Sequence, residues 1–279
     1  MTDTALEHWL RDWRAAHPQL ESAWVFLREG DRTFYGAFAA LESEWLEAVY
    51  AIRESQVAAA KLQWWREELR MAQDAHARHP LTQALFGNAR SRAISPTWWE
   101  QTIAAALARL DVPPAPDFAA QLAQAQPLHG ALARIETALW FGAHADPARA
   151  QRVASLEYLI AALRQLPQEL AHNRSPLPMN LLARHGLTQA SLGEDSGARR
   201  AALRDQAHAL RQAIDEAAKL VGPLSLFRGV QTRQETHALR AAERAADPLH
   251  VLHGSQNELR LLFDAWGAAR VWRGLQKDS

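Results

Sequence analysis

The chain has 279 residues, 48% of them hydrophobic, enough to bury a sizeable core in one large domain or two small ones. Lysine plus arginine total 31, as do aspartate plus glutamate, so no overall field draws the chain to nucleic acid or an anionic membrane, and a charged partner needs a local patch. Cysteine is absent, which excludes a disulfide scaffold, a thiolate nucleophile, a Cys-ligated zinc site and an iron–sulfur cluster, and fits a cytoplasmic protein.

From the N-terminus, Glu7 and Asp12 interrupt the stretch where a signal peptide needs an apolar run, and no later stretch is long enough to span a bilayer. The expectation is a protein that is soluble or peripheral to the inner membrane. Alanine, leucine, arginine, glutamate and glutamine dominate, and no run of alternating β-branched residues argues for a strand. The predicted fold is all-α, with residues 1–279 as a single domain.

Breaks are expected at Gly30-Asp31, His79-Pro80, Ser95-Pro96, the proline-rich 112–116, Asp146-Pro147, 175–178, 193–197, Gly222-Pro223 and Asp247-Pro248. Ser95, Asp146 and Asp247 each precede a proline, the pattern of a cap followed by a first helical residue. Leu203, Leu210, Ile214 and Leu220 trace the apolar stripe of a long amphipathic helix. The tryptophans number 11 against 3 tyrosines, and most of them are expected to fill core.

Motifs that carry common chemistries are missing: no phosphate-cradling glycine loop, no Gly-x-Ser-x-Gly elbow, no His-Glu-x-x-His. His76 with His79, and His250 with His253, have the spacing of paired metal ligands on a helix, but neither pair has an obvious third ligand. Arg199-Arg200 and the arginines of 240–244 read as exposed helix faces, without the interleaved aromatics that stack bases.

Three segments together resemble the squalene/phytoene synthase family. The first runs from Phe26-Leu27 through Arg32 and Ala37 to Glu44, the second is Leu62-Gln63-Trp64-Trp65-Arg66-Glu67 followed by 79–85, and the third is Leu163-Arg164-Gln165 through Glu169 to Arg174 and Leu177-Pro178, continuing to Leu187. They fall in the family's order between about residues 20 and 190, whereas the last third of the chain is similar only in being helical. The resemblance implies a helical bundle around a central cavity, in which active members join two prenyl diphosphates head to head. Aspartates one turn apart on two facing helices then share magnesium ions that bridge to diphosphate oxygens and neutralise the leaving group.

At the positions matching the first aspartate motif stand Leu46, Glu47 and Tyr50, and at those matching the second stand Gln165 and Glu169. Leucine and tyrosine cannot replace carboxylates as magnesium ligands, and glutamine brings no charge. No catalytic set is expected intact, and no metal or other cofactor is expected to bind. Arg32, Arg164 and Arg174 match basic positions and are candidates for binding an anion; Arg164 and Arg174 could equally pair with Glu169 or cap the loop at 175–178.

Three functions are compatible with this pattern. The first is a non-catalytic binding or assembly module that lodges an isoprenoid or lipid-like chain or docks on a protein partner. The complex I assembly factors of this family also lack the aspartates and share a Trp-Trp-Arg segment. The second is a divergent magnesium-dependent prenyltransferase acting on farnesyl or geranylgeranyl diphosphate, with Glu42, Glu44 or Glu54 supplying ligands. The third is a helical scaffold whose cavity is filled by its own side chains.

Overall fold

The computed structural model describes residues 4–254 and 258–275. Among them the regular structure is helical throughout, without strands. The first half comprises α1 (Ala5–Ala16), α2 (Glu21–Trp24), α3 (Glu29–Tyr50), α4 (Ser55–Gln73), α5 (Pro80–Phe86), α6 (Ala89–Arg92), α7 (Pro96–Arg109) and α8 (Phe118–Phe141). The second comprises α9 (Ala148–Arg164), α10 (Leu166–Ala171), α11 (Met179–Arg184), α12 (Gly197–Ala217), α13 (Leu226–Ala242), α14 (Pro248–His253) and α15 (Glu258–Leu275). No helix is long and apolar enough to cross a membrane among the described residues.

Most of the breaks fall between helices, and two expectations need correction. Gly30-Asp31 lies in the first turn of α3, where the acidic Glu29 and Asp31 favour the positive end of the helix dipole and outweigh the weak propensity of a single glycine. Leu220 lies beyond the end of α12 and is exposed, so the buried stripe is Leu203, Leu210 and Ile214. The N-terminal stretch forms α1, capped by Thr4, and its residues 1–3 lie outside the described residues.

Neither histidine pair belongs to a group of three side chains placed to hold a metal ion among the described residues, although His250 and His253 both lie on α14. His76 follows the end of α4, and His79 caps α5, its Nδ1 accepting the Leu81 N–H at 3.2 Å, so that Pro80 opens the helix. His253 hydrogen-bonds through Nδ1 to the Leu249 carbonyl, and His250 is exposed.

Two large apolar clusters hold the bundle, with a small alanine cluster of Ala133, Ala150 and Ala154 beside them. One joins α1, α3, α4, α5 and α7 to α8, α13 and α15; the other joins α9 to α12, α13 and α14. Tryptophan builds the first: Trp13, Trp24, Trp45, Trp65, Trp99, Trp140 and Trp272 are buried, Trp9 and Trp98 partly so, and Trp64 and Trp266 are exposed. Trp24 lies so close to α3 that a Cβ on Gly36 would come within 2.6 Å of its ring, which is why glycine sits mid-helix there. The second segment of the family resemblance is α4, with Leu62, Trp65 and Leu69 buried inward and Glu67 and Arg70 exposed.

Glu68, one residue further along the same segment, is buried and joins α4 to α5. Its Oε1 accepts the Arg78 and His79 N–H groups at 2.8 Å each and the Thr82 hydroxyl at 2.5 Å. Burial pushes this carboxyl up, but the hydrogen bonds outweigh it and hold Glu68 below the usual range. Glu68→Ala is expected to cost about 2 kcal/mol in urea unfolding at pH 7. The loss should shrink as pH falls through the carboxylate range, because a depressed carboxyl stabilises only while ionised. A cost that does not change with pH would rule out the carboxylate as its source.

Candidate functional site

The central cavity, ≈ 490 Å³, lies between α3, α8, α9 and α13. Its apolar wall includes Phe38, Leu46, Trp140 and Phe227, and its far side is polar, with Glu42, Glu136, Glu157 and Arg228. A second cavity of ≈ 520 Å³ lies beside it and shares Tyr50, Tyr158, Glu169, His172 and Arg174 as common wall.

That wall is an aromatic partition. Tyr50 from the end of α3 and Tyr158 from α9 stack with centroids 4.8 Å apart, and His129 from α8 stacks on Tyr158 at 4.4 Å. The Tyr50 hydroxyl lies 3.0 Å from His129 Nε2, and Arg109, at the end of α7, donates from Nε to Tyr50 at 3.3 Å and from Nη2 to the Tyr158 hydroxyl at 2.9 Å. Burial, with Arg109 and Arg228 nearby, holds His129 down to about 3, so its ring is neutral; burial also keeps the Tyr50 phenol protonated, its pKa well above normal.

The positions that match the family's aspartates all line the central cavity, yet their side chains do not converge as a ligand set. Leu46 offers an apolar surface, and Gln165 closes the end of α9. Glu47 is exposed and reaches Lys61 Nζ at 3.4 Å, which Glu44 also holds at 3.0 Å. Glu169 is buried and carries a bidentate pair with Arg174, both bonds 2.8 Å, while Arg174 also donates to the Tyr50 carbonyl at 2.8 Å. Among the described residues no group of three histidine, aspartate or glutamate side chains is placed to hold a metal ion. With one carboxylate tied to lysine and the other to arginine, this donor set does not fit a magnesium cluster.

Of the three arginine candidates, only Arg174 lines the cavities. Arg32 donates to the Trp24 carbonyl at 3.3 Å. Arg164 points toward α13 and α14, donating to Glu235 at 2.5 Å and to the Leu252 carbonyl at 3.0 Å.

The polar end of the cavity belongs to residues that the sequence reading passed over, apart from Glu42. Buried Arg228 donates to Glu136 at 2.6 Å and to Glu157, and Glu42 lies 3.8 Å away. Ser225 and Thr232 complete the network on Glu136 and Glu157 at 2.5 and 3.1 Å. Burial, opposed by Arg228 and reinforced by Glu136, raises Glu42 to about 7 and Glu157 to about 8. A signal for them was present: Glu136 sits in Ile135-Glu136-Thr137-Ala138-Leu139 and Glu157 in Leu156-Glu157-Tyr158-Leu159, carboxylates within otherwise apolar helical runs. Arg109 carries no such mark, because its partners, Tyr50 and Tyr158, come from two other helices.

Residues 27–231 match the family model described as squalene/phytoene synthase. The chain belongs to the squalene/phytoene synthase family. The match runs past the segments that carry the resemblance and takes in α12 and the start of α13. Among solved structures, a dehydrosqualene synthase in complex with ligand superposes with a TM-score of 0.73 at 11% identity, over 96% of this chain and 98% of that one. Squalene synthase HpnC from Alicyclobacillus acidocaldarius superposes with a TM-score of 0.61 at 12% identity, over 98% of this chain and 95% of that one. At such identities the likeness establishes the fold, which is that of the squalene/phytoene synthases. No curated protein matches the chain in sequence.

Proposed function

We propose that this squalene/phytoene synthase family member is a non-catalytic module that binds an isoprenoid or lipid-like chain in its central cavity. The observation that carries this reading is the fate of Glu169: the buried acid matching the second motif is held in both oxygens by Arg174, so its charge is already compensated by a guanidinium. Among the described residues, metal-assisted ionisation of a diphosphate has no ligand set to run on. The apolar wall of the cavity is well suited to a chain-like ligand, and the open volume weighs against a scaffold filled by its own side chains.

The alternative ligands of a divergent prenyltransferase do not gather at one point. Glu42 faces Arg228, Glu44 is bound to Lys61, and Glu54 stands at the N-terminus of α4 on the surface. Incubation with magnesium and labelled farnesyl or geranylgeranyl diphosphate is therefore expected to give no squalene, presqualene or phytoene product above a protein-free blank. Farnesol is expected to change the tryptophan fluorescence, since Trp13 and Trp140 line the cavity. Magnesium-dependent product would overturn the non-catalytic reading, and an emission spectrum indifferent to farnesol would overturn chain binding.

A further inference from the structure

The second cavity has a charge pattern that the missing magnesium site does not explain. Arg109 lines it from the end of α7, partly buried, and its partners among the described residues are two phenol oxygens, with no carboxylate within ion-pair distance. Arg164, Arg174 and Arg228, in contrast, each have a glutamate. A guanidinium withdrawn from water without a counter-charge is costly, and the neutral phenols occupy only two of its five N–H donors.

The rest of the lining has the same sign. Arg53, on the loop between α3 and α4, is exposed on the cavity wall and makes no ion pair among the described residues. The wall's carboxylates are Glu169, already spent on Arg174, and the exposed Asp111. Two guanidinium groups thus face an open volume with one free carboxylate between them. Planar guanidinium forks suit phosphate oxygens and need no metal to do so.

We infer that this second cavity is a metal-free oxyanion site, in which Arg109, assisted by Arg53, takes the phosphate of a singly phosphorylated chain lipid whose apolar body lies across the Tyr50–Tyr158 partition in the central cavity. The tail half of this inference rests on the chain-binding reading above; the head half stands on Arg109. The shared partition puts the two volumes side by side. A phosphate monoester, carrying close to two negative charges at neutral pH, matches two arginines where a diphosphate would still need magnesium.

Calorimetry on the full chain in EDTA separates the parts, using farnesyl monophosphate, farnesol and inorganic phosphate as probes. Farnesyl monophosphate is expected to bind at least about tenfold more tightly than farnesol, and Arg109→Gln to bring the two within about threefold. Arg53→Gln, at an exposed position, should narrow the preference by about threefold and serves if the Arg109 variant fails to fold by circular dichroism. Farnesol binding with no phosphate preference in the native chain overturns the oxyanion site and leaves chain binding standing. Inorganic phosphate bound and weakened by Arg109→Gln, with farnesol unbound, upholds the oxyanion site and overturns chain binding. No binding of any probe overturns both.

Discussion

Arg228→Met is expected to destabilise the protein by about 3–5 kcal/mol in urea unfolding at pH 7.5, a loss on the scale of breaking a buried ion pair from one side. Arg228 is the cation bound to Glu136 and Glu157 at the polar end of the cavity, with Glu42 close by. Among the described residues, removing it leaves the buried acids with only hydroxyl donors from Ser225 and Thr232. The cost should fall as pH is lowered, because those acids can then protonate and be buried neutral. A loss under about 1 kcal/mol, or one that does not change with pH, would mean that the cluster is solvated.

The same cluster sets a pH dependence in the native chain. Glu157, raised to about 8, and Glu42, raised to about 7, keep their protons in the folded state over a range where the unfolded chain has released them. Their stabilising contribution is complete below the ordinary carboxylate pKa and is lost as pH climbs through the raised values. His17, His79 and His129 are held below the ordinary imidazole value, chiefly by burial, and pull the other way, adding stability as pH rises toward 6.5. Comparison with Glu157→Gln isolates the carboxyl: the variant should lose less stability than the native chain between pH 7 and about 8.5. Equal slopes would rule out a raised Glu157.

The helices and the family were readable because they rest on local signals and on word-like segments: Leu-Gln-Trp-Trp-Arg-Glu in α4 and Leu-Arg-Gln through Leu-Pro from the end of α9 onward. The resemblance sets Leu46, Tyr50 and Gln165 where the family's aspartates are expected, a reading made position by position. What replaced them was less legible. The Glu169–Arg174 pair was foreseen as one option, since five residues of sequence separate the partners. Arg109, Tyr50, His129 and Tyr158 come from four helices and meet only when the bundle closes; neither propensity nor periodicity encodes that meeting.

Trp45→Ala is expected to cost about 3–5 kcal/mol, against no more than about 0.5 kcal/mol for Trp64→Ala, by urea or thermal unfolding. Trp45 is fully buried on the core face of α3 and meets Trp65 and Trp99 edge to face, at 6.5 and 6.4 Å between centroids. Trp64, in the family-like Trp-Trp pair of α4, is 51% exposed, so its deletion opens no cavity. Trp45→Phe refines the argument: the Trp45 indole N–H is buried with no hydrogen-bond partner among the described residues, so phenylalanine removes that donor while keeping most of the ring contact. Its cost should be less than half that of alanine. Trp45 also fixes the rotation of α3 that turns Leu46 and Tyr50 to the cavity, so Trp45→Ala should weaken farnesol binding even where the variant remains folded, whereas Trp64→Ala should leave it unaltered. Equal farnesol affinity in both variants would show that the cavity wall does not depend on the tryptophan cluster behind it.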